Sequence, residues 1–286
     1  MRQRVISAIF FVIIMLGGIF GGATTFLLLF LIITGGCLWE FTGLMFRPEG
    51  NYLLLRRVIG TVLGCLPFVF IGYDFYTPAD GGEFGFGAYL SGASQMLAIV
   101  MLMVLLFFLL FVVELFLESR QPFANMGQYV LSVIYLGIPF LLLIFISYWQ
   151  GNYTPVRVLG LLLLTWTNDT LAYLIGSQIG KTPFFPRISP KKTWEGTLGG
   201  MLCTLLLGWL FSIWMPVFSF PEWMALAVVV AVFGTVGDLV ESMLKRSMGV
   251  KDSGSIMPGH GGFLDRFDSF IFVLPFAWLA LIILGL

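Results

Sequence analysis

The sequence predicts an all-α, polytopic integral membrane protein of about nine transmembrane helices, on three observations. The first is composition: of 286 residues, 59% belong to the set AVILMFWYC and 10% are charged. A soluble chain is about 45–50% apolar and about 25% charged. The second is a series of apolar runs close to the roughly 20 residues that a helix needs to cross a bilayer. The third is the placement of basic residues between those runs. A mean hydropathy of +0.99 and 30 Phe leave too little polar surface for a water-soluble globule. Secreted disulfide scaffolds, disordered chains and ordinary cytosolic enzymes are excluded.

The runs fall at 5–20, 23–41, 58–76, 96–116, 129–149, 156–175, 197–215, 223–240 and 267–286. The first is short and follows Arg2 and Arg4, which imitates a signal peptide. No clear small-x-small cleavage site precedes Ala23, so it reads as a span. The apolar run of the third fails after Ile71. The fifth carries Gly137 and Pro139, which predict a kink that neighbouring helices accommodate. The ten-residue alternation of outer-membrane strands is absent.

Charge orients these spans. With a cytoplasmic amino terminus, the inside segments are 1–4, 42–57, 117–128, 176–196 and 241–266. They hold every one of the 15 basic residues except Arg157. The positive-inside bias therefore places the start inside and the end outside. The outside loop 77–95 carries Asp80 and Glu83 and no Lys or Arg. A net charge of zero thus conceals a basic cytosolic face suited to anions, lipid phosphates among them. Nucleic acid is a poor partner, because the bases are spread over short loops between spans. Cys37, Cys65 and Cys203 lie inside spans, so no disulfide framework or cysteine metal site is indicated.

Polarity divides the chain near residue 155. Residues 1–155 are greasy helices with short loops, suited to packing and to a dimer contact. Residues 156–286, with loops 176–196 and 241–266, concentrate the intramembrane acids and bases. Asp169 sits in Thr165-Trp166-Thr167-Asn168-Asp169-Thr170 inside the sixth span. Asp238 and Glu241 share a face at the inner end of the eighth, and Asp265 and Asp268 repeat that spacing at the start of the ninth. Glu40 and Glu114 in the first half read as interfacial groups near inner ends, with Glu114 snorkelling.

A bare carboxylate costs about 2.5–3.5 kcal/mol at a helix centre, and clustered acids repel unless cations intervene. A single such Asp reads equally well as structural glue to Lys or Arg. Several on three helices, beside Lys245, Arg246, Lys251 and Arg266, favour a metal site. Oxygen donors, in a chain with one His, favour magnesium or another hard cation over zinc.

Two loops supply the complement. Ser189-Pro190-Lys191-Lys192-Thr193-Trp194-Glu195-Gly196 reads as a helix start, with Ser at the cap and Pro at the first helical position. Its free N–H groups and lysines suit a phosphate. The stretch from Lys245 to Gly262 is a long, glycine-rich inner loop whose backbone can approach a phosphate closely.

Ser242-Met243-Leu244-Lys245-Arg246, Lys251-Asp252-Ser253-Gly254 and Pro258-Gly259-His260-Gly261-Gly262-Phe263-Leu264-Asp265-Arg266-Phe267-Asp268 resemble the pattern of phosphatidate cytidylyltransferases, also called CDP-diacylglycerol synthases. Gly237-Asp238-Leu239-Val240-Glu241-Ser242 and the Ser-Pro-Lys-Lys-Thr-Trp-Glu-Gly stretch fit the same family. The similarity is strong over roughly residues 165–268. The first half matches in hydropathy and in its Trp39-Glu40 pair. Met257 stands where Leu or Ile is expected, and Asn168 where the family often has Ala.

The resemblance implies transfer of the cytidylyl group of CTP to phosphatidate, giving CDP-diacylglycerol and pyrophosphate. It also implies a magnesium-dependent homodimer in the inner membrane with its site facing the cytoplasm; a second, monovalent cation is left open. By the same resemblance Asp238 and Asp265 are the first metal ligands, with Asp268 and Asp169 as further ligands or orienters. Lys245, Arg246 and Lys251 are assigned to triphosphate or lipid phosphate, Lys192 assists, and Arg266 joins the substrate-binding set. His260 either touches the leaving group or holds its loop. Ser242 either bonds a phosphate or caps its helix. Two rivals are a CTP-dependent polyprenol or dolichol kinase, which would move the γ-phosphate, and a cation- or proton-coupled transporter.

Overall fold

The structure, a computed structural model, describes residues 2–46, 52–76, 92–254 and 261–285. Met257 and His260 of the glycine-rich loop lie outside the described residues. The helices are α1 (Arg2–Phe20), α2 (Ala23–Met45), α3 (Leu53–Tyr76), α4 (Gly92–Phe116), α5 (Pro122–Ser132), α6 (Ile138–Ser147), α7 (Pro155–Ile179), α8 (Trp194–Trp214), α9 (Phe220–Val229), α10 (Thr235–Ser247) and α11 (Leu264–Gly285). Short π-helical segments, Val133–Gly137 and Val230–Gly234, join α5 to α6 and α9 to α10. Among the described residues, seven helices are long and apolar enough to cross a bilayer. Ser7–Phe20 and Val100–Phe116 are shorter apolar stretches. The chain is a multi-pass membrane protein.

Three local expectations are corrected. First, the chain is not wholly helical. Pro183–Phe185 (β1) pairs antiparallel with Ser189–Thr193 (β2), with Pro183 opposite Thr193 and Phe185 opposite Ser189. Ser189 and Pro190 therefore do not start a helix. The start moves to Trp194, because the Thr193 side chain accepts the Gly196 N–H at 3.3 Å and caps α8. Glu195 fixes the other end of the ribbon by accepting the N–H groups of Lys181 and Thr182 at 3.1 and 3.2 Å.

Second, the helix carrying Asp238 does not stop at Val240. It continues to Ser247, so Lys245 and Arg246 are helical rather than part of a loop. The Glu241–Lys245 ion pair one turn apart supports this extension. Two bases in the last turn also complement the helix dipole.

Third, Glu114 does not snorkel. It is buried against Arg56 of α3, with Nη1 to Oε1 at 2.7 Å. Ser119 and Asn125 donate to its other oxygen, Asn125 at 3.0 Å. Glu114 lies where a charge can reach an Arg from a neighbouring helix, and pairing there outweighs the pull of the interface.

The chain forms two compact units, one of Leu27–Leu141 and one of Met1–Phe26 with Leu142–Leu286. In the first, Phe46, Leu110, Met126 and Tyr129 form a core beside the Arg56–Glu114 pair. Where a kink was expected at Gly137 and Pro139, the chain forms a π segment that ends at Gly137. In the second unit α7 and α8 touch backbone to backbone. A Cβ on Gly196 would lie 2.5 Å from the Ala172 carbonyl oxygen and 2.7 Å from Gly176 Cα, so only glycine permits that approach. Asn168 ties three helices together. It accepts from the Thr204 hydroxyl at 3.4 Å and donates to Thr235 Oγ1 at 3.3 Å.

Candidate active site

The acids of α7, α10 and α11 are brought together by close helix packing rather than by a loop. Gly237 makes the decisive contact, since a Cβ there would lie 2.6 Å from Phe272 Cβ and 3.1 Å from the Asp268 carbonyl oxygen. With the backbones of α10 and α11 this close, Asp238 and Asp268 converge. The π segment immediately before α10 shifts the register of the helix that carries Asp238. Such bulges are often found at functional sites.

One carboxylate oxygen from each of Asp238, Glu241 and Asp268 lies within 4.8 Å of the others. Glu241 Oε1 is buried and accepts no hydrogen bond among the described residues. Lys192 pairs with Asp238, and Lys245 pairs with both Glu241 and Asp265. Two paired lysines do not balance this many acids. All-oxygen donors, an excess of negative charge and an unused buried oxygen together fit a hard divalent cation. Asp238, Glu241 and Asp268 are the residues that would hold it.

Asp265 is occupied differently. Its Oδ1 takes the Lys245 ammonium at 2.7 Å. Its Oδ2 accepts the Ser253 N–H and hydroxyl at 2.9 Å each and the Gly262 N–H at 2.8 Å. Asp265 thus ties Ser253, within the glycine-rich loop, to Gly262 at its end while orienting Lys245. Ser242 donates to Asp238 Oδ1 at 3.3 Å, from one turn further along α10.

Two cavities meet at these acids. The first, about 530 Å³, is lined by Asp169, Asp238, Asp265, Asp268 and Arg266, and also by Ser7, Ala8, Phe11, Val12 and Trp166. The second, about 600 Å³, is lined by Ser189, Lys191, Lys192, Thr193, Tyr173 and Asn168. Asp169 and Asp238 border both. The Lys192–Asp238 pair therefore stands where a basic, hydroxyl-rich chamber meets an acidic one.

The chain matches the cytidylyltransferase family over residues 2–284. It belongs to that family. Among its relatives, the phosphatidate cytidylyltransferase of Staphylococcus saprophyticus is 42% identical over 160 residues, which cover 55% of this chain and 60% of the relative. The protein of the same name from Staphylococcus aureus (strain COL) is 44% identical over an equal length and equal shares. That of Staphylococcus epidermidis is 43% identical over 161 residues. The aligned stretch thus spans 60% of each relative's length.

Of the residues singled out in this cytidylyltransferase-family sequence, Asp169, Asp238, Asp265 and Asp268 line one cavity, while Lys192 and Lys245 are ion-paired to acids around it. Ser242 reaches Asp238 rather than a helix end. Arg246 and Lys251 are exposed, and Arg246 donates to the Val250 carbonyl at 3.4 Å. Arg266 is exposed on the rim of the first cavity. His260 lies outside the described residues. Sequence reasoning noted Glu241 but left it out of the ligand set, although its spacing from Asp238 was the available signal. It assigned no role to Ser253, whose position against Asp265 carries no local sequence signal.

Proposed function

We propose that this protein is a phosphatidate cytidylyltransferase that joins CTP to phosphatidate, giving CDP-diacylglycerol and pyrophosphate. One observation carries the reading: carboxylates from α10 and α11, with lysines paired among them, stand at the shared border of a basic and an acidic cavity in a cytidylyltransferase-family chain. The printed names of the Staphylococcus relatives support the choice of lipid acceptor. The basic residues between the spans support a cytoplasmic active site in the inner membrane. They equally support nine spans, with the amino terminus inside and the carboxyl terminus outside. Homodimer formation rests on the family resemblance alone.

The chemistry suits the arrangement. A phosphatidate phosphate oxygen attacks the α-phosphorus of CTP and forms the new P–O bond. The bond from that phosphorus to the oxygen bridging to the β-phosphate breaks, and pyrophosphate leaves with the electron pair. The lipid phosphate is already anionic near neutral pH, so no strong general base is needed. The barrier is the approach of two polyanions and the charge on the departing group. Asp238, Glu241 and Asp268 would hold a magnesium ion, which when bound would supply positive charge for both.

The side chains do the rest. Lys192 can exchange Asp238 for a triphosphate oxygen without leaving the border between the cavities. Lys245, held by Glu241 and Asp265, presents its charge in a fixed direction. Asp265 and Ser253 hold the glycine-rich loop to the inner start of α11. Arg246 in the last turn of α10 and Lys251 in that loop, both exposed, attract anions from the cytosol.

Purified protein, magnesium and phosphatidate incubated with CTP labelled in the cytidine or at the γ-phosphate test the reaction. Cytidine label in the lipid is expected. Label from the γ-phosphate in the lipid, without cytidine, would establish a lipid kinase instead.

A further inference from the structure

We infer that α1 forms the acyl-side wall of the acceptor cavity, and that Phe11 is a specificity-determining residue for the lipid chains. This deepens the proposed function and rests on it. The lining of the first cavity holds two chemically distinct sets of residues. One is the acids with Arg266, and the other is Ala8, Phe11 and Val12 of α1 with Trp166 of α7, to which α1 adds the hydroxyl of Ser7. Ala8, Phe11 and Val12 share one helix face by their spacing.

Phe11 is the largest α1 side chain on that wall. Its ring centroid lies 6.1 Å from that of Trp166 and 6.0 Å from that of Phe267. The adjoining faces of α1 expose Ile9, Phe10 and Ile13 by 55, 64 and 61%, as a lipid-facing helix would. Beyond Phe11, then, lies surface suited to hydrocarbon. A purely water-soluble substrate has no use for such a wall. The second cavity, lined by Lys191, Lys192, Ser189 and Thr193, has the polar lining that a nucleotide triphosphate requires.

A phosphate monoester on a diacyl glycerol has the matching polarity: its head meets the acids and their cation, and its first acyl carbons pass Phe11 and Trp166. The aromatic contact sets the width of that passage. Side-chain volume at position 11 therefore sorts acceptors by acyl bulk, whereas CTP, entering from the other side of Asp238, is indifferent to it.

The test uses the full chain in mixed micelles and phosphatidates of graded acyl length and unsaturation. The parent, Phe11→Ala and Val12→Trp are compared, with kcat/KM for each lipid and KM for CTP as readouts. Phe11→Ala is expected to shift relative kcat/KM toward bulkier chains on the order of tenfold. Val12→Trp, which narrows the same wall, shifts it the opposite way. KM for CTP stays at the parental value in both. An unchanged acyl profile in a folded, active variant overturns the inference and leaves the cytidylyl transfer standing. A parent that transfers no cytidylyl group to any phosphatidate overturns the proposed function itself. If Phe11→Ala fails to fold, the Val12→Trp profile alone decides.

Discussion

Lys192, within β2, holds the Asp238 carboxylate of α10 in an ion pair. The same ammonium lies 3.5 Å from the Thr235 carbonyl oxygen and lines the second cavity. It is the positive group placed between the two chambers. Lys192→Met should therefore raise KM for CTP by on the order of tenfold or more, while the protein still purifies folded. Steady-state kinetics with varied CTP checks this, and a parental KM would remove Lys192 from the nucleotide side.

Gly237 allows α10 and α11 to meet. A methyl group at this position would sit 2.6 Å from Phe272 Cβ, inside any normal contact distance. Gly237→Ala should separate the two helices and cost about 1–3 kcal/mol. It should also weaken activity at saturating magnesium, because Asp238 and Asp268 move apart. Thermal denaturation with activity at saturating magnesium measures both effects. Normal stability and activity would mean that the contact is not critical.

Arg56 and Glu114 are each 1% exposed. Removal of either charge leaves the other buried and unpaired, which costs about 3–5 kcal/mol. Glu114→Leu should lower the unfolding midpoint sharply, and any folded fraction should keep the parental KM for CTP. A substrate effect without loss of stability would point to a role beyond packing.

The proposed inside placement of the loop after α10 predicts one-sided labelling. A single cysteine introduced at Ser255, with the native cysteines replaced, should react with an impermeant thiol reagent only from the cytosolic side of sealed vesicles. Reaction from the opposite side would reverse the topology.

The membrane character and most helix positions were legible because apolar length and basic flanks are local properties of the sequence. The carboxylates on α7, α10 and α11 were legible for the same reason: an acid within an apolar run stands out. Their grouping was inferred from shared depth and charge rather than from a local signal. Lateral neighbours depend on close contacts such as Gly237 against Phe272, which periodicity does not report. Glu241 was visible on the Asp238 face, yet nothing local distinguishes a ligand from an ion-pair partner.

The ribbon was misread because Ser-Pro also begins helices, and the choice fell to Thr193, whose hydroxyl caps one turn later than expected. Asp265 looked like a ligand by resemblance. The structure also gives it the clasp on Ser253 and Gly262, a contact between a loop and a helix that no spacing rule reveals. Glu114 shows the same limit in the other unit. Its partner Arg56 comes from a different helix, so burial as a pair could not be distinguished from snorkelling.

Manganese binding to the purified protein, followed by electron paramagnetic resonance, tests the carboxylate group most directly, since it reads the cation without needing turnover. The parent should remove free manganese signal stoichiometrically. Glu241→Gln and Asp268→Asn should each weaken that binding on the order of tenfold or more. Parental manganese affinity in both variants would contradict a cation held by Asp238, Glu241 and Asp268.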